Sequence, residues 1–446
     1  GGKSSGLMSF LKIGDTAGGA IKSGGTTRRA AKMQILNIDH PDIEAFVNLK
    51  AHEEQKVAAL AVGSHHCATH LNAIMQAYHQ PSGPTTPSAV TLAIRNARQA
   101  RIPELYIQRA LSCATRGEHS FAFSTFDLGW EGEAYQTVTG QNANNSVRIT
   151  KAFLDAVASN SDWALLARTT GQPMKTVNAR DLWTQICAAA WQCGDPGIQY
   201  DDIINDWHTT PAQGRINASN PCSEYLSNDD SACNLASINL LKFLQPDGQL
   251  DLESFRHAIR LWTITLDITV TMASYPSKQI AERSADLRQL GLGYANLGSV
   301  LMQMGLPYDS RAGRAVAQGI TALLTGEAYL TSAVLASELG PFTYYLENRP
   351  KMLQVLRNHA RAAAADGISH ETNYEELSIR PQPLDSDACP KDLLNTVAYV
   401  WLTANMLGIK HGFRNAQVSV IAPTGTIGLL MDCDTTGIEP DFALVK

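Results

Sequence analysis

The sequence has no uninterrupted run of the roughly 18 apolar residues that a membrane-spanning helix needs. No membrane role is expected. Positive charge is not in excess either: 36 Lys and Arg stand against 42 Asp and Glu, the formal net charge is -6, and the basic residues are scattered. A grip on a nucleic-acid backbone calls for a basic stripe, so nucleic acid is not an expected partner. Cysteine is sparse, eight in 446 residues with no Cys-x-x-Cys pair, too thin for the disulfide framework of a secreted scaffold. No signal peptide is visible, which makes the cytoplasm the expected compartment and redox work the expected use of any paired cysteines. Internal repeats, a low-complexity tail and convincing linkers are lacking as well.

What is present is ample core material, with 44% apolar and 17% charged residues. The length suits two or three ordinary domains or one large α/β barrel. Lys32 to Asp39 reads as a strand, and Pro41-Asp42 opens a helical stretch to about Tyr78 that Gly63 could break. Further helices are predicted near 151–169, 180–192, 251–274, 310–339 and 391–409, with strands near 119–123, 145–149, 214–219 and 415–422. Such alternation predicts an α/β fold with a largely buried sheet.

The most informative stretch is Asn220-Pro221-Cys222-Ser223-Glu224, followed by Ser231-Ala232-Cys233-Asn234-Leu235-Ala236-Ser237. Pro221 disfavours a helix. In an extended strand or loop tip, Asn220, Cys222 and Glu224 would point the same way and set a thiol between an amide and a carboxylate. The sulfur can then act as nucleophile or radical carrier, the carboxylate as general base, and the amide as a holder of a substrate hydroxyl. Burial of this group would favour hydrogen-atom chemistry over thiolate attack. Taken alone, the same residues also fit a small buried cysteine in a plain core.

Three other features draw notice. The apolar run Val418-Ser419-Val420-Ile421 leads into Ala422-Pro423-Thr424-Gly425-Thr426-Ile427-Gly428, which reads as an anion cradle or as an ordinary strand-to-helix turn. The first 30 residues are rich in Gly, Ser and Thr and end in Ser23-Gly24-Gly25-Thr26-Thr27-Arg28-Arg29, a ligand-hugging loop or a solvated one. His65, His66, Cys67 and His70 carry metal-ligand spacing on one helix, but a second pair is missing and the pattern is that of an amphipathic helix.

Across Asn220 to Ser237 the chain resembles the radical loop of ribonucleotide reductases. The segments Lys3–Phe46, Gln141–Arg148, Cys193–His208, Leu290–Tyr308 and Val418–Pro440 resemble the same family in family order. The resemblance implies a ten-stranded α/β barrel, incomplete here, and one catalytic barrel domain over 1–446. In it, 1–30 would be the effector-loop region and 220–233 the radical cysteine loop. The implied reaction is reduction of ribonucleotides to 2′-deoxyribonucleotides. Cys222 would carry the thiyl radical that removes the ribose 3′ hydrogen, Glu224 would take the 3′-hydroxyl proton, and Asn220 would hold the sugar. Cys233 would be one thiol of the reducing dithiol. Pro423, Thr424, Gly425, Thr426 and Ile427 would hold substrate phosphates, and Gly24, Gly25, Arg28 and Arg29 would sit in the effector loop.

The Asn-Pro-Cys-Ser-Glu wording and the eleven-residue step from Cys222 to Cys233 resemble the adenosylcobalamin-dependent class. The implied cofactor is therefore adenosylcobalamin. Two alternatives stand beside it. In one, the radical comes from a separate metal subunit through a tyrosine pair, although Tyr344-Tyr345 precedes the phosphate loop where the family's relay pair follows it. The other is a catalytically silent nucleotide-binding relative. Asp206-Trp207-His208 resembles the start of a cobalamin-binding Asp-x-His-x-x-Gly signature, but Pro211 replaces the Gly and removes it as cofactor evidence. Expected partners are a ribonucleotide, a deoxynucleotide or ATP effector, a thioredoxin-like or other dithiol reductant, and a second copy in a homodimer. None of Cys67, Cys113, Cys187 or Cys193 matches the family's partner for Cys233. The resemblance thus implies that both ends are missing and that this chain alone does not turn over.

Overall fold

A computed structural model describes residues 6–21, 31–80, 88–129, 132–363, 374–441 and 443. Contacts divide the chain into two compact units: Gly1–Arg148 with Ala152–Ile198, and Ile149–Lys151 with Gln199–Lys446.

The first unit holds α1 (Leu7–Ala20), β1 (Lys32–Asn37), α2 (Ile43–Val47), α3 (Leu49–His79), α4 (Ala89–Gln99), α5 (Glu104–Thr115), α6 (Glu133–Gln136), β2 (Ala143–Ile149), α7 (Lys151–Ser159), β3 (Asp162–Leu166), β4 (Pro173–Asn178), α8 (Ala179–Cys193) and β5 (Gly197–Tyr200). β1 and β2 pair in parallel from Lys32↔Ala143 to Asn37↔Arg148, and β5 is the third strand of that sheet. α3 runs through Gly63 without a break. One glycine costs a helix only about 1 kcal/mol, and α3 buries Leu71, Ile74 and Met75 against Ile107, Ala110 and Ala114 of α5.

Two expectations fail here for local reasons. The strand expected at 119–123 is extended chain whose Phe121 N–H and C=O bond the Asn72 side chain (2.9 and 3.1 Å) rather than a neighbouring strand. The helix expected at 151–169 ends at Ser159, because Asn160 turns left-handed (φ 53°) and the chain enters the β3–β4 antiparallel hairpin. There Trp163 packs edge-on against Phe153 of α7 at 5.2 Å. In the Gly194-Asp195-Pro196-Gly197 run, Gly194 caps α8 left-handed, and Asp195 pairs with Lys50 and accepts the Asn145 N–H.

The second unit contains α9 (Asp201–Asp206), β6 (Ala218–Ser219), β7 (Leu226–Ser227), β8 (Asn234–Asn239), α10 (Leu252–Met272), α11 (Lys278–Leu287), β9 (Leu290–Ala295), α12 (Leu297–Gln303), α13 (Arg311–Leu339), α14 (Tyr345–Ala362), α15 (Lys391–His411) and α16 (Thr426–Leu430). β8 and β9 pair in parallel from Asn234↔Leu290 to Asn239↔Ala295. On the far side of β9 the Gln417–Ile421 run extends this sheet: Leu290 and Leu292 donate to Gln417 and Val418, and Val420 donates back to Leu292. Leu290, Leu292 and Tyr294 bury one face against α10 and α13.

α13 is the one described helix long and apolar enough to cross a membrane, yet 72% of its apolar window is buried inside the protein. It also carries the fully buried Glu327, held by Arg256 (2.7 Å) and Arg260 (3.3 Å) of α10. These features make α13 a core helix. Among the described residues the strands form four separate sheets that do not close into a ring.

Candidate active site

Cys222 sits in the turn of a short hairpin. β6 and β7 pair antiparallel through Ala218↔Ser227 and Ser219↔Leu226, and the Asn220 N–H donates to the Tyr225 carbonyl (3.3 Å) beyond them. The chain between is a tight turn rather than an extended strand. Ser223 donates to the Asn220 carbonyl (3.0 Å) and takes a left-handed backbone (φ 66°), a conformation that costs a non-glycine residue.

The Asn220 side chain closes the turn, because Pro221 has no N–H to offer. Its Oδ1 accepts from the Tyr225 N–H (2.9 Å), and its Nδ2 donates to Glu224 Oε2 (2.6 Å). The structure therefore brings Asn220 and Glu224 together as expected, though by a turn and not by strand alternation. Cys222 lies exposed on the outside of the turn. Gln199, the first residue of the second unit's longer segment, braces the hairpin through Ser219 Oγ (2.7 Å).

Cys233 is the more enclosed of the two, half-buried where Cys222 is exposed. Its thiol is pushed up to about 12, first by burial and then by the Glu224 carboxylate nearby. One carboxylate is thus bonded to Asn220 and felt by Cys233. Tyr225 locks this arrangement: its buried hydroxyl donates to Gln289 Oε1 (2.7 Å) and meets Ser231 Oγ (3.2 Å), while Gln289 Nε2 donates to Ser227 Oγ. Burial, and then the neighbouring Cys233, raise the Tyr225 phenol well above its usual range. The hairpin base, the Ser231–Cys233 segment and the start of β9 are one bonded assembly.

Gly291 of β9 faces Cys233. A Cβ there would lie 2.5 Å from Leu235 Cδ2, 3.0 Å from Val420 Cγ2 and closer still to Cys233 Sγ. Gly293 leaves the same kind of room for the Val420 carbonyl. Tyr225, Gln289 and Gly291 escaped the sequence reading. Only the glycines left a signal, alternating inside the apolar run Leu290-Gly291-Leu292-Gly293, where a strand glycine marks close approach.

Along β8, Cys233, Ser237 and Asn239 fall on one face by strand alternation. Ser237 Oγ meets Thr424 Oγ1 at 2.7 Å. Since each strand residue advances about 3.3 Å, the cysteine and the Pro423–Ile427 loop stand about 13 Å apart along this strand. Thr424 is buried and left-handed (φ 53°), whereas Pro423, Gly425, Thr426 and Ile427 are exposed. A Cβ on Gly425 would meet nothing within 4 Å, so this loop opens onto free space. Behind it, Asn296 Nδ2 donates to Asn239 Oδ1 (3.1 Å), and Asn296 Oδ1 accepts from the Thr435 N–H (3.1 Å). Asn239 Nδ2 reaches the Met431 carbonyl (3.0 Å).

The remaining candidates lie elsewhere. Gly24, Gly25, Arg28 and Arg29 fall outside the described residues. On α3 the His66 and His70 rings meet edge-on at 4.6 Å, and no group of three or more His, Cys, Asp or Glu that could hold a metal occurs among the described residues. His208 is buried: its Nε2 lies 2.9 Å from the Gly214 carbonyl and its Nδ1 accepts from Thr210 N–H (3.3 Å). Tyr345 spends its hydroxyl on the Gly408 carbonyl (3.1 Å) within the core.

A family model described as the ribonucleotide reductase barrel domain matches residues 1–446. The vitamin B12-dependent ribonucleotide reductases of Agrobacterium fabrum and Bradyrhizobium diazoefficiens are 54% and 53% identical to the chain over 455 residues, covering 100% of it and 36% of each relative. That of Streptomyces clavuligerus is 42% identical over 450 residues, covering 100% of the chain and 39% of the relative. The chain thus spans little more than a third of the length of these relatives.

Proposed function

Because this chain belongs to the ribonucleotide reductase family through its barrel domain, we propose that it carries the radical site of an enzyme that reduces ribonucleotides to 2′-deoxyribonucleotides. Its α/β barrel is incomplete over this length, and the two units are read as parts of one catalytic domain. The observation that carries the reading is the Cys222 turn, where Asn220 holds the Glu224 carboxylate at 2.6 Å and the same carboxylate acts on the half-buried Cys233.

In this reading Cys222, as a thiyl radical, removes the 3′ hydrogen atom of the ribose. Glu224 accepts the 3′-hydroxyl proton at a carboxylate oxygen whose orientation Asn220 fixes, and Asn220 holds the sugar. Cys233 delivers reducing equivalents as one of two thiols. Its raised pKa keeps the sulfur protonated at neutral pH, so it can give up a hydrogen atom or a proton rather than act as a free thiolate. Pro423 to Ile427 hold the substrate phosphates. The exposed Gly425 and the open space beside it leave room for the phosphates at the backbone.

Adenosylcobalamin fits the chain at one point: a thiol exposed on a turn can be reached by a group as bulky as a corrin. The chemistry that bound adenosylcobalamin supplies is removal of the hydrogen atom from the Cys222 thiol. No corrin holder is assigned. His208 in particular spends both ring nitrogens on neighbouring groups of its own chain. Gly24, Gly25, Arg28 and Arg29 are assigned to an effector loop that answers a deoxynucleotide or ATP. A thioredoxin-like or other dithiol reductant and a homodimeric assembly complete the proposal, all on family resemblance.

The test is anaerobic reduction of ribonucleoside di- and triphosphates by the intact protein with a dithiol, with and without adenosylcobalamin. Product only with the cobalamin supports the reading. Product that needs an added metal subunit would move the chain to the other radical class. Nucleotide binding without product under either condition would leave a silent relative.

A further inference from the structure

Asn296 stands at the N-cap of α12, where an asparagine side chain ordinarily accepts an N–H of the first turn, yet it makes no such bond. Its carboxamide is spent elsewhere. Fully buried and left-handed (φ 72°), Asn296 donates to Asn239 Oδ1 (3.1 Å) and accepts from the Thr435 N–H (3.1 Å) and the Thr435 hydroxyl (3.3 Å). The Ser299 N–H of the first turn goes to Thr435 Oγ1 (3.4 Å) instead. Thr435 thus caps α12 in place of Asn296, and Asn296 holds Thr435.

The segment held in this way, Met431–Glu439, backs the Pro423–Ile427 loop. Gly437 is buried and left-handed (φ 48°), and a Cβ there would lie 3.0 Å from the Ala422 carbonyl oxygen and 3.1 Å from that of Pro423. The Cys433 N–H donates to the Gly428 carbonyl of α16 (3.0 Å). Further ties pin the segment to the second unit's core: Asn239 Nδ2 donates to the Met431 carbonyl (3.0 Å), the Tyr308 hydroxyl donates to the Ile438 carbonyl, and a Cβ on Gly298 would come within 2.8 Å of the Glu439 carbonyl oxygen. A shift of Thr435 is therefore passed through Gly437 to the backbone of Ala422 and Pro423.

We propose that Asn296 is a positioning residue for the substrate phosphates, fixing through Thr435 and Gly437 where the Pro423–Thr424 backbone stands without touching the nucleotide itself. The inference rests on the reading of Pro423 to Ile427 as the phosphate loop. Asn220, Glu224 and Tyr225 belong to a different set of bonds. The effect of Asn296 accordingly falls on nucleotide binding and not on the radical step.

The test is steady-state reduction of a ribonucleotide by the intact protein and four variants, with KM and kcat read separately and urea midpoints measured alongside. Asn296→Gly keeps the left-handed backbone and removes the carboxamide. Gly437→Ala sets a methyl against the Ala422 and Pro423 carbonyls and leaves β8 and β9 untouched, so it carries the test if Asn296→Gly does not fold. Gly425→Val fills the open space of the loop itself. Asn358→Ala is the control: equally buried, its carboxamide clasps the Glu375 carbonyl (2.9 Å) and N–H (3.0 Å), a segment outside the phosphate loop. A KM about tenfold higher in Asn296→Gly and raised in Gly437→Ala, with kcat within about twofold of wild type, supports the assignment, provided that Asn358→Ala lowers the urea midpoint and leaves KM unchanged. KM raised in Gly425→Val alone would overturn it and leave the phosphate loop standing. KM unchanged in Gly425→Val as well would remove the loop reading and the inference with it. A KM shift in Asn358→Ala as large as that in Asn296→Gly would mark a general loss of stability and overturn it too.

Discussion

Replacing Gly291 by alanine tests whether the sheet was shaped around Cys233. The new methyl would lie 2.5 Å from Leu235 Cδ2 and 3.0 Å from Val420 Cγ2, and nearer still to Cys233 Sγ, where carbon atoms normally sit no closer than about 3.5 Å. Three neighbours from β8, the Cys233 segment and the Gln417–Ile421 run must move at once, because β9 is buried on both sides and paired along its whole length. Overpacking of this kind costs about 1–3 kcal/mol. We expect Gly291→Ala to lower the urea midpoint accordingly without changing the slope of the transition. Cys233→Ala removes the nearest clashing atom, so the double variant should recover at least about 0.5 kcal/mol, a coupling readable from a double-mutant cycle. A Gly291→Ala protein within about 0.3 kcal/mol of wild type, or strict additivity with Cys233→Ala, would refute the reasoning.

Other outcomes follow from the same geometry. Asn220→Ala removes the bonds to Glu224 and to the Tyr225 N–H, and the single-turnover rate constant for nucleotide reduction should fall about 10²-fold or more, with nucleotide binding weakened by the lost hold on the sugar. Cys233, pushed up to about 12, should resist alkylation at neutral pH; Glu224→Gln removes the negative charge that helps raise it, so iodoacetamide labelling of Cys233 at pH 9 should speed up, read by mass spectrometry. Because the folded thiol titrates above the unfolded one, its contribution to stability is full below about pH 8.5 and is lost as pH rises toward 12, and Cys233→Ala should flatten that part of the stability profile. Ser237→Ala leaves Thr424 without its hydroxyl partner at 2.7 Å, and KM for the nucleotide should rise severalfold while overall stability drops by about 0.5–1.5 kcal/mol.

The sequence made the long helices legible to within a few residues, as α8, α10, α13 and α15 show. Apolar spacing carried that reading, and side-chain caps agreed with it: Asn178, Asp251 and Ser310 each accept an N–H from the first turn. It was less informative where one local event changes the outcome. Asn160 turns left-handed and diverts the expected helix into a hairpin, and the Asn72 side chain takes the place of a strand partner for Phe121. The run expected as a strand at 415–422 does lie along β9, but as an edge with few bonds of its own. The parallel pairing of β8 with β9 could not be read, since it joins segments separated by two helices.

The candidate site divides in the same way. Asn220, Cys222, Glu224 and Cys233 stand out because they are close in sequence and chemically distinctive. Tyr225 is adjacent to them, but its role exists only through Gln289, which the folded chain brings from the start of β9. The exposure of Cys222 was hidden as well. It arises from a turn that Asn220 closes with its own side chain, a bond that spacing alone does not reveal.

Following the fate of a 3′-tritium label puts the role of Cys222 at stake. The intact protein with adenosylcobalamin and a dithiol, given a 3′-tritiated ribonucleotide under anaerobic conditions, should form deoxynucleotide and release part of the label to solvent. Cys222→Ser should do neither while still binding the nucleotide. Label release or product persisting in Cys222→Ser would contradict the assignment of the radical to this turn.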